Sequence, residues 1–210
     1  MLEAVVLLFG LTLLFASVTN MLKSLIRILV IQGLLLFTLT LLKTTHLNWI
    51  SLAFIAVETL LFKAIAIPWF INDTINKNQT HREVEASVSN FFSLAIMSLI
   101  FVFSFAISVF AQRWSAKVSP LEFGIAFATI LKGIFIIIAN KKLITHLIGY
   151  LVLENGVFLL SLSAGSHLPY IVSLGISLDI MLSILIAVLF INRIKSTFDE
   201  VDSPSSLKEI

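Results

Sequence analysis

The amino-acid sequence is organised as long apolar runs, most of them close to twenty residues, separated by short polar links. At about 1.5 Å of rise per residue, a twenty-residue helix spans roughly 30 Å, the thickness of a bilayer's hydrocarbon core. The runs do not alternate apolar and polar faces, as a soluble core helix does. Spans are read at residues 4–18, 24–42, 48–71, 91–111, 121–139, 143–164 and 168–191. The expected fold is therefore all-α: an integral membrane bundle of about seven transmembrane helices. Composition agrees, with 59% of 210 residues hydrophobic, 12% charged and a mean hydropathy of +1.06. That is roughly half the charge of a soluble domain.

Composition also excludes function classes. The chain has no cysteine, which rules out disulfides, cysteine-ligated zinc and cysteine-held iron–sulfur clusters. A net charge of +2, scattered along the chain, gives no nucleic-acid footprint. His46, His146 and His167 fall near helix ends without a further ligand signature, so no metal and no cofactor is expected. The start, Met1-Leu2-Glu3, lacks a basic stretch before the first apolar run and reads as a retained helix.

Basic residues in short loops set the expected orientation. With the amino terminus outside, the cytoplasmic side collects Lys23, Arg27, Lys77, Arg82, Lys141, Lys142, Arg193, Lys195 and Lys208, against Lys43, Arg113 and Lys117 outside. The expected location is a prokaryotic cytoplasmic membrane, with the carboxyl terminus in the cytoplasm. Trp49, Trp69, Trp114 and Tyr170 fall near helix ends, as interfacial anchors do. Pro120 and Pro169 open helices, where a missing N–H costs little. Pro68 lies inside the third span and is expected to kink it.

An internal repeat is legible. The segment Leu25-Ile26-Arg27-Ile28-Leu29-Val30-Ile31-Gln32 resembles Leu147-Ile148-Gly149-Tyr150-Leu151-Val152-Leu153-Glu154. A second stretch, from His46 to Glu58, resembles His167 to Asp179 at nearly the same offset. The chain then divides into a first three-helix repeat (1–72), a cytoplasmic loop with a linking helix (73–112), a second three-helix repeat (113–192) and a polar cytoplasmic tail (193–210). The extra helix at 91–111 lets the two copies share one orientation, as in transporters built from parallel repeats.

Five ionisable side chains are singled out inside the spans: Glu58, Lys63, Lys132, Glu154 and Asp179. A charge at mid-bilayer costs about 3 kcal/mol or more on insertion scales. At about 1.5 Å per residue, Glu154 lies roughly 18 Å past Lys142, and Glu58 and Asp179 each roughly 21 Å from the inner end of their helix. Lys63 and Lys132 lie roughly 14 Å from the inner edge. These groups form a layer near the midplane. Glu154 and Asp179, on consecutive antiparallel helices at similar depth, suit proton exchange between carboxyl groups. Gln32 and Asn155 are read as polar support. Gly149 and Gly156, seven residues apart, leave room beside Glu154 for a neighbouring helix or a water. The bland alternative is that these charges are structural ion pairs locking helices together.

The run Leu147-Ile148-Gly149-Tyr150-Leu151-Val152-Leu153-Glu154-Asn155-Gly156, followed by Gly175-Ile176-Ser177-Leu178-Asp179, resembles hydrogenase-4 component E. That family supplies a membrane subunit of group 4 nickel–iron hydrogenase and formate hydrogenlyase complexes. The resemblance covers nearly the whole chain, Gln32 and the Lys63 region included. The last three helices also resemble the small K subunit of respiratory complex I and its counterpart in multisubunit cation/proton antiporters. The complex I pattern has acids where this chain has Leu151 and Leu182. Here Glu154 and Asp179 are each displaced by three residues, toward the same side of the membrane.

The resemblance implies a subunit that is not an enzyme on its own. It would belong to the membrane arm of a hydrogenase or complex I-like oxidoreductase, beside antiporter-like and other membrane-arm subunits and the lipid bilayer. The complex would translocate protons or sodium, and Glu154, Asp179 and Glu58 would relay protons laterally, with Lys63 and Lys132 modulating their charge. Two alternatives stand beside it: a subunit of a multisubunit sodium/proton antiporter, and a purely structural membrane adaptor.

Overall fold

A computed structural model describes residues 1–19, 21–43, 88–114 and 119–164, with the isolated positions 65, 69 and 179. Among the described residues the chain is all-helical, with five helices: α1 (Leu2–Val18), α2 (Leu22–Lys43), α3 (Asn90–Trp114), α4 (Pro120–Ala139) and α5 (Leu143–Ala164). The last four are long and apolar enough to cross a membrane, which makes this a multi-pass membrane protein. The expected spans at 48–71 and 168–191, with the Pro68 kink, lie outside the described residues.

Local chemistry explains the helix boundaries. Pro120 sits in the first turn of α4 behind Ser119, where its missing N–H has no partner to lose. The Ser89 hydroxyl accepts the backbone N–H of Phe92 in the first turn of α3, the usual N-cap bond. Within the helices, hydroxyls bond back to their own carbonyls: Thr12 to Phe9, Thr40 to Leu36, Thr129 to Ile125. In hydrocarbon there is no water to take them, so the backbone must.

The helices run up and down, and the core divides accordingly. One apolar cluster joins Leu13 and Ala16 of α1, Leu22 to Leu29 of α2, Met97 of α3, Ile136 of α4 and Leu147 to Val152 of α5. The other joins Val6 and Phe9, Leu36 and Leu39, Ile125 and Ala126, and Leu159, with Phe105 of α3 against it. Followed along the chain, α1 and α4 run from the second cluster to the first, and α2, α3 and α5 run from the first to the second. The first cluster lies toward the end of the bundle that carries Thr19, and the second toward the end that carries Lys43.

Helices α4 and α5 pack most closely, and glycine makes this possible. A Cβ on Gly133 would fall 2.5 Å from the backbone N of Leu153 and 2.6 Å from the carbonyl oxygen of Gly149. A Cβ on Gly156 would fall 2.7 Å from the backbone N of Ile130. Such close approach of backbones is what small residues permit in membranes. It also decides between the two occupants expected beside Gly149 and Gly156, in favour of the neighbouring helix. The space beside them is filled by the α4 backbone rather than left for water, so these glycines are packing residues.

Candidate functional site

Between the two apolar clusters lies a buried polar layer. Thr12 of α1, Gln32 of α2 and Glu154 and Asn155 of α5 each fall between the cluster positions of their own helix. Gln32 is fully buried and Glu154 is 1% exposed. Asn155 Nδ2 donates to Gln32 Oε1 at 3.1 Å, and Gln32 Nε2 donates to Thr12 Oγ1 at 2.9 Å. Thr12 in turn donates to the Phe9 carbonyl at 2.6 Å. The two amides named as polar support thus form one chain of hydrogen bonds across three helices. The sequence repeat aligns Gln32 with Glu154, yet in space Gln32 meets the next residue, Asn155.

Asp179 is half-buried, and its carboxylate lies within electrostatic reach of the Tyr150 hydroxyl. Tyr150 and Glu154 are four residues apart and share a face of α5. Asp179 therefore bears on the face of α5 that carries Glu154, one turn toward the Thr19 end. Tyr150 was not picked out from sequence, although its place one turn before Glu154 was the available signal. Glu58 and Lys63 lie outside the described residues.

Lys132 is 1% exposed and points away from the α4–α5 seam. Its ammonium lies 3.5 Å from Ser93 Oγ on α3 and 4.9 Å from the centre of the Phe135 ring. Among the described residues it meets no carboxylate. Beside it is a cavity of about 40 Å³, lined in part by Ser17, Ser93, Lys132 and Asn140.

One charged pair was missed. Glu122, in the first turn of α4, is buried and ion-paired with Lys43 in the last turn of α2. Lys43 Nζ also donates to the Leu162 carbonyl at 2.6 Å. The pair ties three helix ends together, and each charge complements its own helix dipole. Lys43 was read as a loop residue because it closes an apolar run. The signal was that Lys43 and Glu122 sit at the same depth on helices of opposite direction.

Comparison with known proteins adds a distant relative. The chain is 25% identical over 182 residues to "Uncharacterized protein Rv0085" of Mycobacterium tuberculosis, covering 86% of this chain and 83% of that protein. No family model matches the chain. No solved structure matches it either.

Proposed function

We propose that the chain is a non-catalytic membrane-arm subunit of a hydrogenase or complex I-like complex, in which redox energy from partner subunits drives protons or sodium through the membrane. Glu154 relays the proton, with Asp179 and Glu58 in series and Lys63 and Lys132 tuning their charge. The site lies in a prokaryotic cytoplasmic membrane, amino terminus outside, beside antiporter-like subunits. What carries the reading is the burial of Glu154, 1% exposed, in a polar layer between two apolar clusters. Buried ionisable groups in membranes mark ion paths more often than packing. The resemblance of the run ending at Glu154-Asn155-Gly156 to hydrogenase-4 component E supplies the kind of complex.

The test is Glu154→Gln in the intact complex, which keeps shape and hydrogen-bonding capacity and removes the titrating proton. The expected outcome is normal assembly, retained redox turnover with a soluble acceptor, and loss of most proton translocation. It is read as the proton-to-electron ratio in reconstituted vesicles. Normal assembly with an unchanged ratio would overturn the relay role.

The structural-adaptor reading has its own support. The Lys43–Glu122 pair and the Thr12–Gln32–Asn155 chain lock helices together without any titrating step. Under that reading Glu154→Gln lowers the yield of assembled complex.

A further inference from the structure

The cavity beside Lys132 has a floor and a rim of different character. Its floor is Lys132 and Ser17, both buried. Its rim is Thr19, which follows α1, Val88 and Asn90 at the start of α3, and Asn140, which follows α4. The rim residues are half-buried and sit where the helices end. Counting at about 1.5 Å per residue, the Lys132 backbone lies roughly 12 Å from Asn140, while its ammonium meets Ser93, roughly 4.5 Å along α3 from Asn90 at the rim. The cavity is therefore a short shaft, lined by polar and apolar groups, from the Thr19 end of the bundle to a buried ammonium.

Three observations say that water fills it. An ammonium has three donors, and among the described residues Lys132 offers one to Ser93 and sets its charge over the face of Phe135. Asn140 Oδ1 is a buried acceptor with no hydrogen-bond partner among the described residues, while its Nδ2 donates to the Ile136 carbonyl. A volume of about 40 Å³ holds about three or four waters at roughly 10–15 Å³ each. The other lining side chains on α1, α2, α3 and α4 are hydroxyls, amides and apolar groups, so Lys132 is the titratable group among the described lining residues. His146 on α5 is engaged through Nε2 with the Asn140 carbonyl at 2.7 Å.

We propose that this shaft is a hydrated entrance through which Lys132 exchanges its proton with the aqueous phase at the Thr19 end. In that exchange the Lys132 N–H bond breaks as the proton passes to a shaft water, and re-forms when a hydrated proton returns. The inference gives the proposed membrane-arm function a point of entry and rests on it for purpose. The entrance itself rests on the geometry alone.

The chain's lack of cysteine makes access measurable. In the intact complex, held in vesicles with the Thr19 end outward and a thiol scavenger in the lumen, single cysteines replace Ser17, Ser93, Ser104, Gln112 or Lys141. Gln112 and Lys141 are exposed references for the two ends, and Ser104 is a fully buried reference on α3. Thiolates form and react where water reaches, so Ser93→Cys and Ser17→Cys should react with aminoethyl methanethiosulfonate about a hundredfold faster than Ser104→Cys. They should do so from the side that labels Lys141→Cys and not from the side that labels Gln112→Cys. Proton exchange is read on the wild-type complex by trace acetylation with acetic anhydride between about pH 6 and about pH 10, because only the neutral amine reacts. Lys132 should acetylate, with a rate that rises with pH and falls about tenfold when Ser93→Leu narrows the shaft, while Lys141 is unchanged. Cysteines at Ser17 and Ser93 no faster than at Ser104, or no acetylation of Lys132, would overturn the proposal. Both readouts are independent of redox turnover, so an unchanged proton-to-electron ratio in Glu154→Gln would sink the relay and leave them standing.

Discussion

At the Lys43 end of the bundle an ammonium is met by the Glu122 carboxylate and the Leu162 carbonyl. Toward the Thr19 end the Lys132 ammonium is met by a hydroxyl, an aromatic ring and a shaft of mixed lining. The first lysine has fixed partners and joins α2, α4 and α5. The second has lost nearly all contact with bulk solvent, and no carboxylate among the described residues answers it. Burying a charge is expensive, and a close counter-charge with further hydrogen bonds is what offsets it. Lys43 has that arrangement and is an anchor. Lys132 has a route to water instead, which suits a group that gains and loses a proton.

The contrast is open to measurement by thermal unfolding of the solubilised protein. The largest effect is expected at the closed end. Lys43→Met strands the Glu122 carboxylate, whose side chain is 4% exposed. Breaking a buried pair costs about 3–5 kcal/mol. Lys43 is itself 26% exposed, and solvent screening brings the expected loss to about 2–4 kcal/mol. A loss under about 1 kcal/mol would mean that the pair is not an anchor. Second, adding Glu122→Gln to Lys43→Met removes the stranded charge and should restore stability to within about 1–2 kcal/mol of wild type. Strict additivity of the two losses would break the pairing. Third, Lys132→Met should change stability by less than about 1 kcal/mol, or raise it, because an apolar chain of similar length replaces a charge with no carboxylate partner. A loss comparable to that of Lys43→Met would erase the distinction between the ends. The smallest effect belongs to Ser93→Ala, about 0.5–1 kcal/mol for one hydrogen bond at the shaft wall.

The helices were legible because hydropathy along the chain reports length and depth. The run at 143–164 has the boundaries of α5, and Pro120 marks the start of α4. Rotation about each helix axis was not legible. Lipid-facing and core-facing positions are equally apolar: Phe9 is buried and Phe15 is 69% exposed on the same helix, and nothing in their chemistry separates them. That is why Gln32 and Asn155 were picked out as polar support while their pairing was not foreseen. The repeat put Gln32 level with Glu154, which fixes depth but not azimuth. Lys43 and Glu122 escaped for a related reason. Each lies at the edge of an apolar run, where a charge needs no explanation, and only the packing of α2 beside α5, and of α5 on α4, brings them together. Lys132 was found by depth alone, and its shaft is a property of four helix ends that no single segment encodes.

The seam at Gly133, Gly149 and Gly156 has a mechanical consequence. Where two backbones touch, no side chain remains to swing, slide or change rotamer and so absorb a shift. Helices α4 and α5 must then travel as one stiff plate. Lys132 on one side of the plate and Glu154 on the other keep their separation along the membrane normal, whatever the rest of the bundle does. Among the described helices, any rearrangement of the bundle falls to α1, α2 and α3 moving around that plate, as hinged leaves move around a fixed post.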